Sequence, residues 1–353
     1  MGVTIEDVAR RAGVSVSTVS RVLNRKGRIS QQTRQRVFDI ARELEYRVDA
    51  VQTASRRRTN TIGIMFNRRL RSLVSDPFYG LVMVGVEESL RQDGYQVFFS
   101  TLGERDEDIA AIHGFASGRR VDGLILAGCD VDRECIDRIM SLGIPLVLVD
   151  NNIASPKVPC VMADNTAGAR EAVEHLIHLG HEDIAFVSGP LTHSSLFERH
   201  QGYRQAMEAH GLPVRQELSV IYEDVSSFSV DGGFDAATRL MNRARRPTAI
   251  FAANDPLALG VMKAALGLGL AIPRDLSIVG FDDVEAAAHT SPPLTTVRVD
   301  KTELGRHAAR LLSELIDGGS DYAPYKIVVC TELIVRGSTR PMQREALEPL
   351  YAD

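Results

Sequence analysis

Val3-Thr4-Ile5-Glu6-Asp7-Val8-Ala9-Arg10-Arg11-Ala12-Gly13-Val14-Ser15-Val16-Ser17-Thr18-Val19-Ser20-Arg21-Val22-Leu23-Asn24 is the stretch from which the organisation of this 353-residue chain follows. Thr4 followed by Asp7 reads as a helix N-cap with an acid at the third helical position. Ile5, Val8, Ala9 and Ala12 recur at helical spacing, and Gly13 stops the helix. A second short helix starts near Ser15 and turns Val19, Val22 and Leu23 inward. A third opens at Ser30 and buries Val37, Ile40, Ala41 and Leu44. Three short amphipathic helices thus share one small core.

The connection Ala12-Gly13-Val14-Ser15 is tight: glycine supplies a positive φ and Val14 plugs the core, which sets the second helix across the first as in a helix-turn-helix unit. The outer face of that helix carries Val16, Ser17, Thr18, Ser20, Arg21 and Asn24. Short side chains at its N-terminal end let backbone approach base edges, while hydroxyls, Arg and Asn supply hydrogen bonds. Charge agrees. Residues 1–60 hold 13 Lys+Arg against 6 Asp+Glu, whereas the remainder holds 28 against 40. A basic head on an acidic body points to a polyanion bound by the first segment, although a basic surface can also be merely solvated.

This stretch resembles the headpiece of LacI/GalR regulators almost position by position. The resemblance implies a headpiece over 1–46 in which Val16 and Ser17 select operator bases. It further implies DNA contacts at Thr4, Ser15, Thr18, Ser20, Arg21, Asn24, Arg28 and Thr33. Family members continue with a hinge, here 47–60, that folds on DNA and wedges a Leu into the minor groove. This chain departs from that pattern. Val48 stands in place of Pro, Asp49 in place of Asn, no Leu is available, and the spacing to the first strand is one residue short. Val51 is the remaining apolar candidate, with Arg56, Arg57 and Arg58 as phosphate contacts, so a smaller operator bend is expected. A solvated basic linker is the plainer alternative.

From Thr61 onward short apolar runs alternate with amphipathic stretches. Ile62–Phe66, Val97–Phe99, Leu124–Ala127 and Leu146–Asp150 read as buried parallel strands, followed by Ile184–Val187, Ser219–Tyr222, Ala249–Ala252 and Ile278–Phe281. Two such series argue for two α/β lobes, with ligand at the carboxyl ends of the strands. The expected fold class is α/β with an all-α N-terminal headpiece. Gly267-Leu268-Gly269-Leu270-Ala271-Ile272-Pro273 through Gly280-Phe281-Asp282-Asp283, then Pro292-Pro293-Leu294-Thr295-Thr296-Val297, resembles the family's periplasmic-binding-protein-like sensor. The resemblance implies a sensor over 61–340 that crosses between lobes three times. Its N-lobe is expected near 61–162 and 292–322, its C-lobe near 163–291 and 323–340, with a tail over 341–353.

Cleft residues carry over where the motif matches: Phe78, Asp150, Ser195, Arg199, Phe228, Asn254 and Asp282. Charged and amide groups suit hydroxyls, and rings suit a sugar or base face. Each has a plainer role, since Asp and Asn cap helices and Phe228 fits a core. Ala127 sits where some sugar-binding relatives carry a polar residue, which loosens any assignment to a familiar hexose.

Other functions find little support. There is no phosphate-binding glycine loop, nucleophile elbow or His-Glu-x-x-His pair, so neither an enzyme nor a cofactor is expected. Cys129, Cys135, Cys160 and Cys330 are scattered, and His175, His178 and His181 read as structural, so no disulfide or metal is expected. An acidic start and the lack of a long apolar run argue against a signal peptide and a membrane span, and so against a periplasmic transport receptor. Beyond Arg340 no leucine heptads follow, so a homodimer on pseudo-palindromic double-stranded operator DNA is expected. The expected protein is a cytoplasmic repressor whose effector is a sugar or sugar derivative, with a protein co-regulator as the variant.

Overall fold

The computed structural model describes residues 4–23, 29–44, 58–67, 77–102, 120–128, 133–152, 158–224, 227–318 and 324–342. They belong to two units, one holding the N-terminal helices and one beginning at Asn60. In the first unit α1 spans Ile5–Ala12, α2 Val16–Leu23 and α3 Gln31–Glu43. Each helix begins on a hydroxyl. Thr4 Oγ1 accepts from the Asp7 N–H while the Asp7 carboxylate accepts from the Thr4 N–H, closing a capping box. Ser15 Oγ accepts from the Thr18 N–H and Ser30 Oγ from the Thr33 N–H, both at 3.2 Å. These bonds satisfy first-turn donors that have no carbonyl partner within the helix. Gly13, at φ +64°, ends α1 and returns its N–H to the Ala9 and Arg10 carbonyls. Val8, Ala9, Ala12, Val19, Val22, Val37 and Ala41 form the core, with Ile5, Val14, Ile40 and Leu44 at its edge. The side chain of Leu23 lies outside the described residues.

The second unit opens with β1 (Thr61–Asn67), α4 (Pro77–Gln92), β2 (Gln96–Leu102), β3 (Gly123–Ala127), α5 (Arg133–Ser141), β4 (Leu146–Val149) and β5 (Cys160–Ala163). It continues through α6 (Asn165–His178), β6 (Ile184–Ser188), α7 (Ser194–Ala209), β7 (Ser219–Ile221), α8 (Val230–Met241), β8 (Ala249–Ala252), α9 (Asp255–Gly267) and β9 (Ser277–Asp282). It closes with α10 (Glu285–Ala288), β10 (Thr295–Arg298), α11 (Lys301–Gly318), β11 (Lys326–Val329) and β12 (Glu332–Ile334). Two six-stranded sheets result, ordered β11-β5-β4-β3-β1-β2 and β12-β10-β9-β8-β6-β7. Apart from the antiparallel β10–β12 pair, the pairings are parallel. Strands β3, β4, β5, β6, β8 and β9 are buried along their whole length, as sheets with helices on both faces require.

The expected lobe bounds need correction. Residues 292–298, expected in the N-lobe, belong to the C-lobe: β10 lies beside β9, with Thr296 opposite Gly280, and Leu294 joins the C-lobe core. Lys326–Val329, expected in the C-lobe, belongs to the N-lobe, because β11 extends its sheet beside β5, with Lys326 opposite Cys160. Hydrogen-bonding partners far away in sequence decide membership, and local composition does not report them. The crossings fall between β5 and α6, between β10 and α11, and between β11 and β12. Helix α11 is pressed onto the N-lobe by paired glycines. A Cβ on Gly85 of α4 would stand 2.0 Å from the Thr302 carbonyl oxygen, and one on Gly305 would stand 2.1 Å from that of Val82. That close approach fixes where α11 begins relative to the N-lobe strands.

Candidate nucleic-acid interface and effector site

On α2 the capping chemistry and the expected DNA face overlap. Val16 is 41% exposed, and Ser17 and Arg21 are exposed beside it. Ser15 Oγ lies 2.8 Å from both Ser17 Oγ and Thr18 Oγ1, and Ser30 Oγ lies 2.8 Å from Thr33 Oγ1. Ser15, Thr18 and Thr33 therefore organise helix starts, as Thr4 does for α1. Helix N-termini carry partial positive charge and free N–H groups, the chemistry that receives a phosphate. Ser20 is half-buried and Arg58 is exposed. Asn24, Arg28, Val51, Arg56 and Arg57 lie outside the described residues.

In the sensor unit the carboxyl ends of strands from both sheets meet, as doubly wound folds predict for a ligand site. Asp150 follows β4 with φ +55°. One of its carboxylate oxygens accepts from Tyr79 Oη at 2.8 Å, and the other accepts from Ser195 Oγ of α7 at 2.5 Å. The Ser195 bond spans the lobes, and the Asn152 N–H donating to Ser194 Oγ at 3.0 Å runs beside it. Arg199, 3% exposed, donates from Nε to Asn165 Oδ1 at 2.9 Å and from Nη1 to the Ala253 carbonyl at 2.6 Å. Its Nη2 stands 3.0 Å from Asp282 Oδ1, and its guanidinium lies 3.8 Å over the Phe281 ring. Charges this deeply buried persist because they are paired, and because Arg199 also spends donors on Asn165 and the Ala253 carbonyl.

Asn254 caps α9, accepting from the Leu257 N–H at 2.9 Å. Phe228 packs against the C-lobe core beside Gly189 and Leu196. Phe78 is buried against Tyr79, with ring centroids 5.0 Å apart. Of the seven expected residues, contacts join Asp150 to Ser195 and Arg199 to Asp282. Phe78 adjoins Asp150 through Tyr79, and Asn254 follows the Ala253 carbonyl that Arg199 holds.

Sequence reasoning missed four participants. Tyr79 directly follows Phe78 but belongs to no motif of its own, and Asn165 opens α6 just beyond β5, a strand that was not expected. Asp255, the residue after Asn254, is fully buried. It accepts from Thr296 Oγ1 at 2.5 Å and from the Val284 N–H at 2.8 Å. Burial, with the Asp282 carboxylate nearby, pushes its pKa up to about 8. Lys301 opens α11 with its ammonium buried among main-chain carbonyls. No grouping of His, Cys, Asp and Glu able to hold a metal occurs among the described residues. No described helix is long and apolar enough to cross a membrane.

Comparison with known proteins meets this geometry at both ends of the chain. Residues 4–49 match the model of bacterial regulatory proteins of the lacI family, and 173–339 match the periplasmic binding protein-like domain. The HTH-type transcriptional regulator DegA of Bacillus subtilis strain 168 is 35% identical over 346 residues, covering 97% of this chain and 99% of that protein. The HTH-type transcriptional repressor PurR of Actinobacillus pleuropneumoniae serotype 3 (strain JL03) is 33% identical over 343 residues, with the same coverage. Among solved structures, the transcriptional regulator CelR–cellobiose complex is similar with a TM-score of 0.74 at 33% identity, covering 95% of this chain and 99% of that one. The lac repressor dimer bound to operator and the anti-inducer ONPF gives 0.70 at 29% identity, covering 96% and 100%. With a capped helix-turn-helix at one end, a two-sheet sensor at the other and relatives matched along nearly their full length, the chain belongs to the LacI family of bacterial regulatory proteins and is a transcriptional regulator.

Proposed function

We propose that this protein is a homodimeric, sequence-specific repressor whose operator affinity is set by a sugar or sugar derivative bound between its lobes. The observation that carries the reading is the meeting of Asp150, Ser195, Arg199 and Asp282 at the strand ends of both sheets. Hydroxyl-rich ligands are recognised by such carboxylate, guanidinium and hydroxyl groups, and a ligand must displace or bridge the Asp150–Ser195 bond to settle there. Phe78, Phe228 and Asn254 complete the set, with rings for an apolar sugar face and an amide for a hydroxyl. Cellobiose in the CelR complex and operator with the dimer in the lac repressor structure support the same assignment here.

At the other end, Val16 and Ser17 read bases while Thr4, Ser15, Thr18, Ser20, Arg21, Asn24, Arg28 and Thr33 set register on phosphates and bases. Val51 and Arg56 to Arg58 of the hinge complete the DNA contacts. Effector and operator then change each other's affinity by one common factor. The protein acts in the cytoplasm as a binding regulator, with no catalytic step.

Selection from a random pool of double-stranded DNA tests the reading. An inverted repeat occupied by two protomers, with affinity altered by a sugar, is the expected result. Failure to enrich any DNA, or enrichment of a single unrepeated site, contradicts it.

A further inference from the structure

Lys301 is 4% exposed, at the point where the chain passes from the C-lobe strand β10 into the N-lobe helix α11. An ammonium has three donors. Here they go to three main-chain carbonyls: that of Asp282, that of Asp283 at 3.3 Å and that of Val299 at 3.2 Å. With those donors spent, the side chain acts through what it holds. Asp282 has φ +107° and Asp283 φ +53°, consecutive non-glycine residues in a region that L side chains rarely adopt. Such a pair persists only when its surroundings over-determine it.

Other restraints reach the elbow from within the C-lobe, where the Asp283 N–H donates to Thr296 Oγ1 at 3.4 Å and the Val284 N–H to the Asp255 carboxylate at 2.8 Å. Asp282 pairs with Arg199, and Asp283 accepts from Arg336 at 2.6 Å and from Arg298 at 2.9 Å. Lys301 holds the elbow's carbonyls, and does so from a helix clamped to the N-lobe at Gly85 and Gly305. Burial pushes the Lys301 pKa down, and the carboxylates of Asp282, Asp255, Asp283 and Asp300 push it back up.

We infer that Lys301 is a positioning residue, holding the Asp282–Asp283 elbow by its carbonyls so that the Asp282 carboxylate faces Arg199, and tying that elbow to the N-lobe. This deepens the proposed effector reading, because Asp282 is the group being placed. The test uses effector-free protein, so its outcome is independent of whether a sugar binds.

Amide hydrogen exchange is followed over 278–286 in the full chain and in Lys301→Ala, which removes the side chain beyond Cβ. Loss of charge-assisted bonds raises exchange at Asp283 and Val284 by about tenfold or more, leaving β8 protected. Added n-propylammonium, which replaces the deleted atoms, restores protection, whereas n-propanol of the same shape and sodium chloride at matched ionic strength do not. Lys301→Met, which keeps most of the volume without the charge, shows the same raised exchange and serves if the Ala variant does not fold. Unchanged exchange over 278–286 with fraying confined to the first turn of α11 overturns the inference. So does equal restoration by n-propanol, or wild-type exchange in Lys301→Met.

Discussion

Arg199 joins three parts of the C-lobe, donating to Asn165 and to the Ala253 carbonyl while pairing with Asp282. Arg199→Ala leaves a buried carboxylate without its cation, which costs on the order of 3–5 kcal/mol, and denaturant unfolding of the sensor unit reads it as a lower midpoint. Asp255 carries a different prediction. Its pKa, raised to about 8, lets the folded state keep a proton that the unfolded state releases near the ordinary value of 3.8. Its contribution to stability is therefore present below pH 3.8 and is lost as pH rises towards about 8. Asp255→Asn, whose amide can accept from Val284 and donate to Thr296, removes that decline. Unfolding free energies of the two proteins should converge at acidic pH and separate in favour of Asn at pH 8; parallel curves count against the assignment. At this scale the sequence pointed to Arg199 and Asp282 through contiguous motifs, and the structure pairs those two side chains. The sequence did not reveal Tyr79, Asn165 or Lys301, whose partners lie on other elements and are fixed only by tertiary register.

Strands were legible where a short apolar run alternates with helices in order, although Val97–Phe99, expected to be buried, lies in β2 with Phe98 and Phe99 exposed. The eight expected strands all correspond to observed ones. β5, β10, β11 and β12 were not among them, and length does not separate β5 and β10 from β4 and β8, which are also four residues long. Their lobe membership rests on pairings such as Lys326 with Cys160, which no local pattern encodes. Helix packing supports a further prediction. Gly305→Ala sets a methyl group 2.1 Å from the Val82 carbonyl oxygen and 2.8 Å from the Val86 nitrogen, so α4 and α11 must part. Overpacking of this kind costs about 1–3 kcal/mol, read as a lower denaturant midpoint at unchanged slope. In the headpiece, Thr4→Ala opens the capping box and lowers helix stability by about 1 kcal/mol, so its thermal midpoint falls and DNA affinity with it. An unchanged midpoint would mean the box contributes little.

Across the whole molecule, the segment expected to act as a hinge, 47–60, departs from the family pattern at Val48 and Asp49. Its residues 47–57 lie outside the described ones. Without a Leu wedge the operator should bend less than a family-like kink in a circular-permutation gel assay, and a full kink contradicts that expectation. Substituting Arg56, Arg57 or Arg58 should lower the salt slope of binding by about 0.9 for each phosphate that is no longer neutralised. The central claim is that a sugar-class effector binds where Asp150, Ser195, Arg199 and Asp282 meet. Thermal unfolding of the purified protein against sugars, sugar phosphates, nucleosides and purines tests it most directly. A ligand at about 100 times its dissociation constant adds about 2.7 kcal/mol and raises the midpoint by a few degrees. The account predicts such a shift with a sugar and its loss in Arg199→Ala, whereas no shift with any sugar, or one that persists in Arg199→Ala, would contradict it.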